Sequence, residues 1–335
     1  SGPGATNLVT GIATAMMDSV PIVAITCNVT TDLLGKDSFQ EIDIVGVTTP
    51  ITKHNFLVKS AEDIAPTIRR AFKIARSGRP GPVLVDITKD ATGNMCEFEP
   101  EIQDTSVERK IESDENAFKA AIELIESAKR PLIYAGGGVI AAEAAEELKR
   151  FRAKIDSPVT LSLMGLGAFP ASDKAFTGMI GMHGTKTTSL AISECDLLIA
   201  VGARFSDRVT CNIQTFAPNA KVLHIDTDRA EIDKNVKTDH SIIGDAKLVL
   251  ERLAKTVKQQ HHDEWMNKIY EWEGEYPIHK PYDGVFTPQC IMETVNAAIG
   301  RDSIATTDVG QHQMWAAQYL MVERPRKFIT SGGLG

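Results

Sequence analysis

Short apolar runs that end in glycine or polar residues, each leading into a helical stretch, recur along this chain and restrict its fold class. Pro21-Ile22-Val23-Ala24-Ile25-Thr26 is one such run and Val83-Leu84-Val85-Asp86-Ile87 is another. Runs this apolar and this short read as strands buried on both faces of a parallel sheet. Between them Ser60 reads as an N-cap, Ile64, Ile68, Phe72 and Ala75 recur at helical spacing, and Gly78 and Pro80 stop the helix. Further strands are expected at Pro131–Ala135, Pro158–Leu161, Asp196–Val201 and Lys221–Ile225, with helices from about Ala141 to Arg152 and Asp245 to Lys258. The alternation predicts an α/β fold of three consecutive doubly wound parallel-sheet units, the first and last truncated. Residues 1–95 form the first unit, and the polar, acidic stretch 96–112 reads as a linker. The second unit spans 113–258, and 259–285 reads as a surface connector rich in Trp and Tyr. The third unit, 286–335, opens with a helix and the strand Ser303–Thr307.

The glycine-rich loop Ser1-Gly2-Pro3-Gly4-Ala5-Thr6-Asn7 opens the helical stretch Leu8–Met17, yet no strand precedes it. The last residues, Ser331-Gly332-Gly333-Leu334-Gly335, lie in another glycine-rich turn. On this pattern the chain is expected to be an internal piece of a longer protein.

Composition narrows function by exclusion. A net charge of −8 over 335 residues argues against general binding to nucleic acid or a membrane surface. No apolar run reaches the roughly 20 residues that span a bilayer, and no signal peptide is visible. The five cysteines form no C-x-x-C pair, which argues against a disulfide framework or a structural zinc site and fits a reducing, cytoplasmic setting. No metal-ligand cluster of suitable spacing occurs.

Candidate chemistry lies where strands hand over to helices. Gly136-Gly137-Gly138 lets backbone amides approach a phosphate, or simply makes a tight turn. Gly202-Ala203-Arg204-Phe205-Ser206-Asp207-Arg208 follows another strand, and its arginines suit an anionic ligand or a surface ion-pair cluster. Asp226 ends the next strand, where a carboxylate can take a ribose hydroxyl, but the G-x-G-x-x-G spacing of a nicotinamide enzyme is absent. His183, in Gly181-Met182-His183-Gly184-Thr185, reads equally as a ligand-facing donor or a loop-packing residue. Gly35-Lys36-Asp37-Ser38-Phe39-Gln40-Glu41 reads on its own as a solvated loop. Gln311 and His312, after Asp308-Val309-Gly310, suit a bound phosphate or local hydrogen bonds at a helix start.

Together these motifs resemble the thiamine-diphosphate-dependent acetohydroxyacid synthase (acetolactate synthase) large subunit along the whole chain. Ser1–Asn7, Gly35–Glu41, Lys53-His54-Asn55-Phe56, Gly78-Arg79-Pro80-Gly81-Pro82 and Asp86–Lys89 resemble the later part of its pyrimidine-binding domain. Gly136–Gly138, Leu163-Met164-Gly165-Leu166-Gly167, Gly181–Gly184, Gly202–Val209 and Gly244-Asp245-Ala246 resemble its central FAD domain. Gly310–Trp315 and Gly332–Gly335 resemble the start of its diphosphate-binding domain.

The resemblance implies a transferase that decarboxylates pyruvate on thiamine diphosphate and ligates the two-carbon unit to pyruvate or 2-ketobutyrate, in branched-chain amino-acid synthesis. Phe39 would contact the substrate methyl, Gln40 would hydrogen-bond near the reacting centre, Lys89 would line the channel, and Arg208 would bind the second carboxylate. Gln311 and His312 would hold thiamine diphosphate. Arg79, Gly136, Gly137, Gly138, Ser162, Leu163, Met182, His183, Gly184, Gly202, Ala203, Arg204, Asp207, Val209, Asp226, Thr227, Asp245 and Ala246 would cradle a largely structural FAD. The family's activating glutamate is expected before Ser1 and its Mg²⁺ ligands after Gly335, so this piece alone is expected to be inactive. A homodimer or homotetramer and a small regulatory subunit are also implied.

Four positions depart from the family pattern: Ser206 and Cys211 stand where aspartate and glycine are usual, Asn28 and Thr30 where glutamine and proline are. Pyruvate oxidase, glyoxylate carboligase and the FAD-free catabolic acetolactate synthase are neighbouring alternatives, and a non-catalytic FAD- or ADP-binding module is a further one.

Overall fold

The computed structural model describes residues 1–98, 100, 106, 108–280, 284–300 and 302–335. Residues 99, 101–105 and 107 of the expected linker and 281–283 of the expected connector lie outside the described residues. The chain divides into two compact units, Ser1–Glu108 with Ser331–Gly335, and Arg109–Thr330.

The first unit holds a parallel sheet of β1 (Val23–Asn28), β2 (His54–Val58) and β3 (Val83–Thr88) in the order β1-β3-β2. All six residues of β3 are buried, which is why its sequence is an unbroken apolar run around one aspartate. Leu84 packs on one side with Ala5, Ile12 and Ile44, while Val83 and Val85 pack on the other with Ala71 and Ala75. The helix Ile64–Arg76 differs from its expected face: small Ala71 and Ala75 are buried, whereas Phe72 is 55% exposed. Ser60 does not cap it; its hydroxyl donates to Asp63, and the helix begins at Ile64. β2 escapes sequence reading because His54-Asn55-Phe56 is a polar, half-exposed edge strand.

The second unit is built on a fully parallel sheet of β4 (Pro131–Ala135), β5 (Val159–Leu161), β6 (Phe176–Met179), β7 (Leu197–Val201), β8 (Lys221–Asp226) and β9 (His240–Ile243). The spatial order is β6-β5-β4-β7-β8-β9. Side chains alternate along β4: Ile133 and Ala135 enter a core with Phe118, Leu148, Phe151, Val249 and Leu253, while Leu132 and Tyr134 enter one with Ala191, Ile192, Trp265 and Ile269. Helices therefore cover both faces, as a doubly wound sheet requires. The helical stretch expected from Ala141 to Arg152 is two helices, Gly137–Ala141 and Ala145–Ile155. Within 259–285 lies the helix Asp263–Glu275, whose Trp265 is buried and donates its indole N–H to Pro131 O at 2.9 Å. Arg109–Ser113 also join this unit: Ile111 bridges Gly244, and the Glu112 N–H donates to Ile243 O at 2.9 Å. The helices Pro288–Ala298 and Gln311–Tyr319 pack on each other, and β10 (Ala305–Thr306) and β11 (Phe328–Ile329) form a two-stranded parallel pair.

Candidate cofactor-binding site

In the second unit the chain leaves β4 first toward β5 and β6, and later returns on the other side through β7, β8 and β9. The strand order reverses between β4 and β7, and in open parallel sheets such a point opens a crevice at the carboxyl ends. The loops that follow β4 to β9 all emerge on that edge, because every pairing is parallel.

These loops are tied to one another by their backbones. The Gly136 N–H donates to Val201 O at 2.9 Å, the Gly138 N–H to Gly202 O at 3.0 Å, and the Ser162 N–H to Ala135 O at 3.0 Å. The Met182 N–H donates to Arg208 O at 2.8 Å, which joins the loops after β6 and β7. Added Cβ atoms show why glycines stand here. One at Gly136 would strike Gly202 O, and one at Gly181 would strike Arg208 O. One at Gly137 would meet only Met164, at 3.3 Å. Two of the three glycines of the triplet thus answer to loop crossing, and the crevice floor is bare backbone.

The edge offers charge of both signs. The Arg208 side chain is 72% exposed, 3.7 Å from Asp207 and 3.8 Å from Met182 Sδ. Asp226 is nearly buried and accepts the Asp228 N–H at 2.8 Å, while Thr227 is exposed. Asp245 accepts the Lys247 and Leu248 N–H groups as a helix cap and pairs with Arg109 at 3.2 Å, so it already has structural partners. Ala203 and Ala246 are buried, Leu163 and Val209 pack against the two cores of the unit, and Arg204 and Ser162 are half-buried. His183 is exposed, Gly184 sits in the same tight turn, and the His183 carbonyl accepts the Gln318 amide at 2.8 Å. Gln318 lies on the helix that begins with Gln311 and His312, both exposed, with the His312 ring folded over Gly310.

The remaining candidates lie in the first unit. Arg79 Nε donates to Ser19 Oγ at 2.9 Å. Lys89 is exposed just after β3, and its N–H donates to Val29 O at 3.3 Å, which links the loops after β1 and β3. Phe39 is 88% exposed and Gln40 has a left-handed φ of 61°. Glu41, quoted in that motif without a role, accepts backbone N–H groups of Gly35, Lys36 and Ser38. Those donors, Ser38 first and Gly35 next, hold its carboxyl below the usual range. Arg109 and His224 are structural residues that sequence reading did not single out, their signal being only a polar residue beside an apolar run, and Lys53 was quoted in a motif without a role.

Residues 118–253 match the family described as thiamine pyrophosphate enzyme, central domain. Residues 1–47 match its N-terminal TPP binding domain, and 308–335 its C-terminal TPP binding domain. The chain belongs to the thiamine pyrophosphate enzyme family. It is 47% identical over all its residues to the acetolactate synthase large subunit of Parasynechococcus marenigrum and covers 55% of that protein. It is 47% identical to the probable acetolactate synthase large subunit of Methanocaldococcus jannaschii, covering 59% of it, and 42% identical to the large subunit of Haemophilus influenzae, covering 60%. The chain thus spans between half and two thirds of the length of these relatives. For this member of the thiamine pyrophosphate enzyme family, no described helix is long and apolar enough to cross a membrane.

A dinucleotide such as FAD fits the central edge on chemical grounds. It needs a floor its diphosphate can approach, a cation and an acidic group at strand ends. The glycine crossing, Arg204 and Asp226 are of those types. Among the described residues no cluster of His, Cys, Asp or Glu is suited to hold a metal ion.

Proposed function

We propose that this chain serves in an acetolactate synthase, which decarboxylates pyruvate and joins the two-carbon unit to pyruvate or 2-ketobutyrate. The observation that carries this reading is similarity at 42–47% identity over the whole chain to acetolactate synthase large subunits. Thiamine diphosphate, when bound, supplies the electron sink for decarboxylation. Gln311 and His312 hold it, and their exposure at a helix start leaves them available to a partner. Phe39 offers an apolar surface to the pyruvate methyl, Gln40 offers an amide beside the reacting carbon, and Lys89 lines the approach. The guanidinium of Arg208 binds the second ketoacid's carboxylate, a group its planar fork matches. Gly136–Gly138, Ser162–Leu163, Met182–Gly184, Gly202–Arg204, Asp207, Val209, Asp226–Thr227 and Asp245–Ala246, with Arg79, cradle FAD in a structural role. The five free thiols suit a cytoplasmic enzyme, which works as a homodimer or homotetramer, with a regulatory subunit as a further partner.

The test is product analysis of the purified protein, as the cell makes it, with pyruvate, thiamine diphosphate, Mg²⁺ and FAD. Acetolactate supports the reading. Acetyl phosphate, or tartronate semialdehyde from glyoxylate, without acetolactate would move the protein to another branch of the family. Separately, flavin titration of this chain is expected to show binding that Arg208→Ala leaves largely intact and Gly138→Ala weakens.

A further inference from the structure

The loop Gly35–Glu41 is organised around one carboxylate. Glu41 Oε1 accepts the Gly35 N–H, while Oε2 accepts the Ser38 N–H at 3.0 Å and the Lys36 N–H at 3.3 Å. The Glu41 N–H returns to Ser38 O at 2.9 Å, and Ser38 Oγ donates to Leu33 O at 2.9 Å. Three residues of this loop take left-handed backbone: Gly35 at φ 73°, Asp37 at 53° and Gln40 at 61°. Only the first is a glycine, so the other two are held there at a cost.

A second support comes from the glycine-rich N-terminal loop. A Cβ at Gly2 would lie 2.8 Å from Gln40 O and 3.0 Å from Gln40 Cβ. Gln40 therefore sits between a close backbone neighbour on one side and the Glu41 clamp on the other. Phe39, between strained Asp37 and strained Gln40, stands 88% exposed. A lone exposed phenylalanine needs no explanation. One displayed on a strained loop that a charged group locks is placed for a purpose outside its own core.

We propose that Glu41 is the positioning residue of this loop: its carboxylate locks the turn Gly35–Ser38 and so sets the directions in which Phe39 and Gln40 are presented to substrate. The second half rests on the reading of Phe39 and Gln40 given above; the first does not. The lock is electrostatic as well as geometric, since an anion accepts several N–H dipoles at once where a neutral amide accepts fewer and more weakly.

Two readouts separate the parts. Hydrogen exchange of this chain, followed at Gly35, Lys36 and Ser38, is expected to accelerate roughly tenfold or more in Glu41→Ala and by less in Glu41→Gln. Amides of β1 and β3 keep their protection. Unchanged exchange at the three amides overturns the clamp. In the enzyme, Glu41→Ala is expected to lower kcat roughly tenfold or more while KM for pyruvate moves by about twofold or less, with partial recovery in Glu41→Gln. A loosened loop with turnover intact overturns the positioning role. Phe39→Ala reports on the site itself: unaltered pyruvate kinetics there would overturn the substrate-facing reading and leave the exchange result standing.

Discussion

Gly138 and Gly202 pass so closely that a Cβ built on either would lie 2.6 Å from the other's Cα. They belong to the loops after β4 and β7, the two strands that flank the reversal of strand order. Any side chain here must push the two loops apart. Overpacking of this kind costs about 3 kcal/mol, and Gly202, at φ 55°, adds backbone strain. Gly138→Ala and Gly202→Ala are therefore expected to destabilise the second unit, Gly202→Ala more so. Gly274, on the helix Asp263–Glu275 with nothing within 4 Å, is the control. Gly274→Ala is expected to be neutral or to stabilise by about 0.5–1 kcal/mol. Urea unfolding of the three variants decides the matter, and equal midpoints would refute the crossing argument.

Lys53 explains why two separate motifs of the first unit occur together. Its Nζ donates to Ile74 O at 2.6 Å and Ser77 O at 2.5 Å, at the carboxyl end of the helix Ile64–Arg76. Its stem runs beside Gly81, where an added Cβ would come 3.1 Å from Cδ. Burial pulls the amine below the usual lysine value, so desolvation offsets part of what these bonds contribute. Lys53→Met keeps the stem and removes the donors. The expected loss is about 1–2 kcal/mol, read as an earlier unfolding transition of the first unit; no loss would show that water replaces the ammonium without cost.

Cys211 stands where the resembled family has glycine, and the backbone supplies a reason for that glycine. Its φ is 53° and its ψ −84°, a conformation L-residues adopt with difficulty. The left-handed cost is roughly 1–2 kcal/mol; glycine's extra freedom in the unfolded chain takes back about 0.5–1 kcal/mol. The strain term wins, so Cys211→Gly is expected to stabilise by up to about 1 kcal/mol and raise the melting temperature. Cys211→Ala removes the exposed thiol without relieving the backbone, and is expected to show no gain. If alanine stabilises as much as glycine, the thiol and not the backbone is the cause.

The fold was legible wherever a strand is buried on both faces. β4, from Pro131 to Ala135, coincides with its sequence reading, and β7 and β8 shift by a residue at one end. The strands that escaped are those with mixed or short patterns: His54–Val58 at a sheet edge, Phe176–Met179 with a glycine in its middle, His240–Ile243, and the two-residue Phe328–Ile329. Periodicity shows which residues share a face but not how close two loops pass. The glycines at 136, 138 and 202 were therefore visible as a motif, whereas their mutual contact was not. Asp245 illustrates the converse: its motif suggested a ligand, and its side chain caps a helix and meets Arg109. Charge partners brought together from distant positions leave no local trace in sequence.

His224 carries the last prediction. Its side chain lies wholly inside the second unit, edge-on to Phe205 at 5.1 Å. Its Nε2 is 2.9 Å from Ala203 O, so the neutral ring carries its proton there and donates to the loop after β7. Nδ1 is buried with no hydrogen-bond partner among the described residues, so a proton added to it would also lack one there. Burial pushes the imidazole below its ordinary 6.5, against the opposing pull of the Ala203 carbonyl and the charges of Glu231 and Asp233. In the unfolded chain the ring takes its proton near 6.5, and in the folded chain it does so only at lower pH. Folding stability from this group is therefore complete above that value and falls as pH drops through the window beneath it. His224→Gln keeps an N–H donor and removes the titration. Urea unfolding of the second unit at pH about 8 and about 5.5 is expected to show a larger acid-side loss in the parent chain than in His224→Gln. Equal losses would mean that other groups, the carboxylates foremost, set the acid sensitivity of this unit.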